Sequence, residues 1–360
     1  MRKKSLILIG ILTCIQMLGG CGTAAQVKTT SQESSALANV QSQDTAESVV
    51  TADEAIESET QLEKTKDAFD ANAVYDAFLN NETKASISFA ADKGYYSSFK
   101  KTLEDGKEYT LEEITDGLKD GIDASFMSEN NTEEAEVRNT FIDCGSDGRK
   151  ELLVAKKFTT PTETFENKMI FKADEDGLKL CFCGDSWSRK VLSVNEFGYI
   201  VGIGAGGAFN TSYERYYVDG EGSCHFLYGD EVEYAEKGDF SAESQIYSYS
   251  DYGLEMDDMI IFYYYFEETD KETTPNYIYT YAKHGEYGTE NDVPYFDSSI
   301  MIDASIYEAS NKYKDFFENT QVTTITPKEM ATLVDEQFKK EGFDTSYIEG
   351  EEVLETEADF

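Results

Sequence analysis

No Phe, Tyr or Trp occurs before Phe69, yet the chain carries 47 of them: 24 Tyr, 22 Phe and the single Trp187. A segment without aromatic side chains, rich in Ser, Thr, Ala, Gln and Glu, buries too little apolar area to offset its ordering entropy. Residues 22–68 are such a segment, as in Thr29-Thr30-Ser31-Gln32-Glu33-Ser34-Ser35. Folding is therefore expected to begin near Phe69, and the 360-residue chain to hold fewer packed residues than its length suggests.

From there the pattern is mixed. Asp67–Asn80 reads as a helix, with Phe69, Val74, Ala77 and Phe78 at three- and four-residue spacing. A second helix follows Thr110, where Glu113 is placed to return the capping hydrogen bond, and Gly117 and Gly121 are expected to keep it short. Beyond Asn139 come short stretches rich in β-branched and aromatic residues, separated by Gly, Asp and Asn: 151–158, 168–173, 178–183, 190–194, 199–203, 213–218, 224–228, 244–249, 259–267 and 277–282. Connections this short imply antiparallel hairpins, because parallel strands need a long crossover. Ile261–Phe266 is apolar on both faces and is expected to be buried on both. Two helices close the chain. One spans Ser305–Phe317; the other opens at Thr326-Pro327-Lys328-Glu329, with an N-cap, a proline at the first helical position and a capping-box glutamate. The expected class is α+β: short N-terminal helices, a central antiparallel β-meander as sandwich or open barrel, and two C-terminal helices. The expected divisions are 1–20, 21–67, 68–135, 136–300, 301–345 and an acidic tail, 346–360.

The first twenty residues read as an address. Arg2, Lys3 and Lys4 precede the apolar run Leu6–Leu18, which ends at Gly19-Gly20-Cys21. A basic start, an apolar segment and small residues at the cut describe a secretory signal peptide, and the run is too short for a membrane span of about 20 residues. Leu18-Gly19-Gly20-Cys21 resembles the bacterial lipobox, in which the cysteine is acylated before cleavage in front of it. The resemblance implies lipidation at Cys21, attachment to the outer face of the cell membrane and a polar leash of roughly 35–40 Å root-mean-square span over residues 22–68.

Charge restricts the partners. The chain has 31 Lys and Arg against 71 Asp and Glu, a net −40 that becomes −43 once Arg2, Lys3 and Lys4 are removed. Nucleic acid, anionic headgroups and anionic wall polymers are disfavoured, since binding them requires a basic surface. A glycan, peptide or protein ligand remains open.

Among the motifs, Asp143-Cys144-Gly145-Ser146-Asp147-Gly148-Arg149-Lys150-Glu151 spaces carboxylates at positions one, five and nine, like the first half of an EF-hand loop. Asp143, Asp147 and Glu151 are thus candidate calcium ligands. Gly145 stands where a third ligand belongs and Val154 at the twelfth position, so the other reading is a tight Asp-Gly turn with Asp143 and Asp147 capping backbone amides. Val74–Glu82, followed by Ile-Asp-Cys-Gly-x-Asp-Gly-x-x-Glu-Leu (142–152), Gly202–Ala208 and Tyr213–Tyr217, resembles uncharacterised surface lipoproteins of gut-type Firmicutes over about residues 69–218. That resemblance implies a secreted, lipid-anchored, β-rich protein and no particular activity.

The remaining signals are chemical. Gly202, Gly204 and Gly207 match G-x-G-x-x-G, but Ala208–Tyr213 has no helical periodicity to hold pyrophosphate, so strand backbone with a close neighbour is the better reading. Cys181 and Cys183, two apart, are expected on one side of a strand; with Cys144 and Cys224 they read as buried thiols or one cross-strand disulfide, not as a zinc site. Neither His225 nor His284 sits in H-E-x-x-H, and no G-x-S-x-G occurs. Tyr277, Tyr279 and Tyr281 share a face and are either ligand-facing aromatics or packing beneath the C-terminal helices. No catalytic constellation can be named, so a non-catalytic recognition domain is expected, with a carbohydrate-active hydrolase using an unassigned carboxylate pair as the alternative.

Overall fold

The computed structural model describes residues 69–95, 99–126, 132–207, 210–234, 239–242, 245–254, 259–268, 276–283, 307, 311–320 and 322–354. These belong to the unit Phe69–Phe360; the expected signal peptide 1–20, Cys21, the expected leash 22–68 and the acidic end 355–360 lie outside the described residues.

Helix α1 (Ala71–Leu79) is capped by Asp70, whose carboxylate accepts from the amides of Asn72 and Ala73. Strands β1 (Ala85–Ser86) and β2 (Glu108–Tyr109) precede helix α2 (Leu111–Phe126). The helix runs on through both glycines rather than stopping short. At Gly117 the reason is packing: a Cβ there would meet the Leu103 side chain at 2.9 Å, so the residue lets a neighbouring segment lie against the helix. Strands β3 (Glu133–Glu134), β4 (Arg138–Ile142), β5 (Glu151–Thr159), β6 (Thr164–Asp174) and β7 (Gly177–Ser186) follow. With β1 and β2 they form a seven-stranded sheet of order β2-β1-β7-β6-β5-β3, in which β4 also pairs with β5. All its pairings are antiparallel except β1 with β7.

The second sheet has six strands in the order β15-β14-β11-β10-β9-β8. Its members are β8 (Lys190–Val194), β9 (Tyr199–Gly207), β10 (Asn210–Val218), β11 (Cys224–Tyr234), β14 (Met259–Tyr265) and β15 (Ile278–Lys283). A separate hairpin, β12 (Asp239–Ala242) with β13 (Gln245–Ser248), is inserted between β11 and β14. Helices α3 (Lys312–Asn319) and α4 (Pro327–Lys340) complete the fold. Asn311 caps α3 by accepting from the Tyr313 amide, so that helix begins later than the apolar spacing predicts. The Thr326–Glu329 capping box opens α4, and Gly342, at φ +70°, follows its end.

The class is α+β, and the cores show how it is layered. Tyr75 and Phe78 of α1 and Ile114, Leu118 and Ile122 of α2 cover one face of the first sheet. Its other face, with Leu153, Ile170 and Phe182, packs on Leu192, Ile200, Tyr216 and Val218 of the second sheet. Met330, Val334 and Phe338 of α4 cover the far face of that second sheet. Strand β14 is buried on both faces: Ile260, Phe262 and Tyr264 lie under α4, while Ile261 and Tyr263 lie with Phe316 and Phe317 of α3.

Both margins of the second sheet are closed by the chain itself. At β15 the Tyr279 amide donates to Thr323, the Ile325 amide donates to Tyr279, and the Tyr307 hydroxyl accepts from the Tyr281 amide and donates to its carbonyl. At β8 the Val353 amide donates to Val194 and the Leu192 amide to Ser186 Oγ. Exposed edges present unpaired backbone groups, and these contacts remove them.

Candidate functional site

The Asp143–Glu151 segment is a tight turn. Gly145, Ser146 and Gly148 all have positive φ. Asp143 accepts from the Gly148 amide at 2.9 Å and lies 3.3 Å from Lys150 Nζ. Asp147 accepts from the Arg149 amide at 2.8 Å and from Arg149 Nε at 2.7 Å. Glu151 is fully buried, accepts from the Cys144 amide at 2.9 Å and pairs with Lys172 at 2.8 Å. Each of the three carboxylates is thus engaged by the protein's own donors. Among the described residues no group of three or more His, Cys, Asp or Glu is gathered to hold a metal ion. Burial pushes the Glu151 carboxyl up, against the pull of Lys172 and the Cys144 amide. Burial also works on Asp147, but Arg149 overcomes it and holds that carboxyl low.

The cysteines correct a periodicity argument. Cys181 packs between the sheets, whereas Cys183 faces the helical layer, because a β-bulge shifts the β6–β7 register and leaves Cys181 opposite no partner. Two residues apart no longer means one side. All four described thiols are unbonded. Burial pushes Cys181 and Cys224 up to about 12, which keeps them protonated and poor as nucleophiles or ligands at neutral pH.

The three tyrosines share a face, but it is packed. Tyr279 and Tyr281 are buried, and Tyr281 stacks between Tyr307 and Phe317 with both ring centroids 4.3 Å away. Tyr277 is half-buried, with its hydroxyl donating to Glu231 at 2.8 Å. Packing beneath the C-terminal helices is therefore their role in the fold, and Tyr279 and Tyr281 offer no surface to a ligand. His225 is held between Asp219 at 2.9 Å and Glu341 at 3.2 Å, tying the β10–β11 turn to the end of α4.

A cleft opens elsewhere, where the chain passes from the first sheet to the second. It has a volume of about 300 Å³ and is lined by Tyr95, Trp187, Arg189, Lys190, Gly202, Gly204, Ala205, Ser212 and Glu214. The glycines make it. Gly202 and Gly204 lie opposite Glu214 and Ser212 of β10, and opposite Leu192 and Lys190 of β8, all on the face turned toward the first sheet. A Cβ on Gly204 would come within 2.8 Å of Ser212 Oγ, and one on Gly202 within 3.2 Å of Lys190 Cε. Bare backbone thus forms the floor, which is the close-neighbour reading of the glycine run.

The walls come from the corner. Trp187 and Lys190 exchange backbone hydrogen bonds at 2.7 and 2.9 Å, closing a tight turn over Ser188 and Arg189. Glu163 fixes that turn by accepting from the Ser188 hydroxyl at 2.6 Å, and the Ala205 amide donates to the Arg189 carbonyl at 2.8 Å. Tyr95 is brought in from 90 residues away, because its amide donates to both oxygens of the buried Asp185. Its ring stacks on Trp187 at a centroid distance of 6.3 Å and 26° between planes, and it remains 52 % exposed. Lys190 pairs with Glu214 at 3.0 Å. Burial lowers the basicity of Lys190, but Glu214 and Asp185 more than offset it, so the ammonium is held charged.

Sequence reasoning reached only the glycine floor. Lys190 and Glu214 are 24 residues apart and lie on different strands, and Tyr95 belongs to no recognisable motif. The available signal was the only tryptophan, followed by Ser188-Arg189-Lys190 and facing a strand with glycines at alternate positions.

Compared with known proteins, the chain matches no family profile, no curated protein and no solved structure.

Proposed function

We propose that this is a lipid-anchored protein of the extracellular face whose folded part recognises a glycan at the Trp187 cleft without transforming it. The reading of its location rests on the sequence: the basic start, the apolar run and the lipobox-like Leu18-Gly19-Gly20-Cys21, followed by a leash without aromatic residues. One observation carries the reading of its activity. An aromatic pair, Tyr95 exposed and Trp187 half-buried, stands beside a flat backbone floor and a polar ion pair. Sugar rings present an apolar face that packs on aromatic rings and a rim of hydroxyls that needs donors and acceptors.

Binding is favoured over two-carboxylate hydrolysis by the lining itself. Glu214 is its one described acid, and Lys190 already occupies it. Glycoside hydrolysis needs two carboxyl groups about 5–9 Å apart.

The experiment is a titration of the full chain with neutral and acidic oligosaccharides, read through Trp187. Because the chain has one tryptophan, its emission reports on this cleft alone. A saturable change, lost in Trp187→Phe by a calorimetric readout, supports recognition. Turnover of any titrated glycan would replace this reading with the hydrolase, and silence across the panel would overturn it. Mass spectrometry of the native protein tests the anchor: a diacylglyceryl group on an N-terminal Cys21 is expected, and an unmodified N-terminus would sink it.

A further inference from the structure

We infer that the sugar unit seated in the Trp187 cleft carries a single carboxylate, received by Arg189; this deepens the glycan reading and rests on it. The argument starts from charge. The chain has 71 acidic residues against 31 basic ones, yet the cleft lining reverses the ratio, with Arg189 and Lys190 against Glu214 alone. Lys190 and Glu214 are 3.0 Å apart and neutralise one another. Arg189 is the lining cation left without a partner: its guanidinium is exposed and makes no hydrogen bond or ion pair among the described residues.

Its backbone is fixed from three sides. The Trp187–Lys190 turn closes around it, Glu163 holds the preceding Ser188, and the Ala205 amide grips its carbonyl. Only the side chain must order when a ligand arrives, which lowers the entropy cost of using it. A guanidinium presents a planar fork of donors that matches a carboxylate with two parallel hydrogen bonds, a match an ammonium cannot reproduce. A ring stacked on the Tyr95–Trp187 pair would turn its hydroxyl rim toward the Lys190–Glu214 pair, where Lys190 has donors and Glu214 acceptors to spare.

The net −40 limits how much acid the ligand can carry. Contact between Arg189 and one carboxylate is short-range, whereas a run of acidic sugars would bring further charges against an acidic surface within the screening length of about 8 Å. The ligand class is therefore an acidic pyranose unit, of uronate type, within an otherwise neutral or short glycan.

The test uses the full chain and a matched pair of sugars that differ by one carboxylate, methyl galacturonide and methyl galactoside, with glucosamine and an Asp/Glu tripeptide as further arms. Trp187 emission is the readout. Methyl galacturonide should bind about tenfold or more tightly than methyl galactoside, the scale of one charge-assisted bidentate contact. Arg189→Ala should erase that preference, bringing the two affinities together, and Arg189→Lys should restore only part of it. Since Arg189 is exposed, neither variant should perturb the fold. Equal affinity for the two sugars, or a preference that survives Arg189→Ala, overturns the acidic class and leaves glycan recognition standing. Tighter binding of glucosamine overturns it in the same way. Response to the tripeptide alone, or to nothing, overturns both readings.

Discussion

The two ends of one face of the second sheet have opposite fates. At β14 and β15 the face toward α3 carries Ile261, Tyr263, Tyr279 and Tyr281, and Tyr313, Phe316 and Phe317 cover it. At β8, β9 and β10 the same face is covered by the first sheet at Leu192, Ile200 and Tyr216, but where it carries Gly202, Gly204, Ser212 and the Lys190–Glu214 pair it stays open as a cleft. Large apolar side chains need a cover, because leaving them in water forfeits about 1.5–3 kcal/mol each. Glycines and an ion pair make no such demand. The sheet therefore assigns stability to one end and access to the other by side-chain choice alone, with the backbone continuous between them.

Substitutions at the two ends should separate accordingly. Phe316 is fully buried, so Phe316→Ala should cost about 3–5 kcal/mol in denaturant unfolding while leaving Trp187 titrations unchanged where the protein remains folded. A change in ligand affinity there would break the contrast. The same logic applies to ion pairs. Glu151 and Lys172 are sealed, with side chains 0 % and 4 % exposed, so Glu151→Ala should cost about 3–5 kcal/mol by stranding a buried ammonium. Glu214→Gln, in a pair 33 % and 18 % exposed, should cost about 1 kcal/mol or less in chemical denaturation and act chiefly on binding. Gly204→Val should fill the floor, abolish the glycan response and lower stability by about 1–3 kcal/mol through its contact with Ser212. An unaltered titration curve for that variant would show that the cleft is not the site.

Acid should act through the half-buried, ion-paired carboxyls. The Lys119 and Lys156 hydrogen bonds hold Glu134 low; at Asp147 and Asp219, burial is outweighed by Arg149 and by His225 with neighbouring amides. Carboxyls lowered by folding contribute stability that is complete above their unfolded values and lost as pH falls through the folded ones. Melting temperature should therefore drop below about pH 4, measured by circular dichroism. The smallest effect is expected from calcium. Asp143, Asp147 and Glu151 already have protein donors, so millimolar calcium should leave the melting temperature unchanged, and a clear rise would reopen the loop as a cation site.

Much of this layering was legible in the chain, for local reasons. Ten stretches of β-branched and aromatic residues fall on strands because their short turns leave no room for a crossover. The Thr326–Glu329 box opens a helix because both of its hydrogen bonds are made within one turn. What escaped was non-local or depended on one inserted residue. The bulge at Cys181 turns one thiol away from Cys183, and no period-two pattern announces it. Gly117 looked like a helix stop, although Leu103 lying against it explains the choice. The cleft needed three segments to meet: Tyr95 through Asp185, the 187–190 turn, and the glycine face of β9. Only the last had a signature in sequence.

The margins of the six-stranded sheet have a consequence for self-association. Tyr279 and Tyr281 at one border, and Leu192 and Val194 at the other, pair with residues of the same chain. A second copy finds no backbone ladder to extend there. Two copies meeting at either border therefore cannot join their six-stranded sheets into one continuous ribbon.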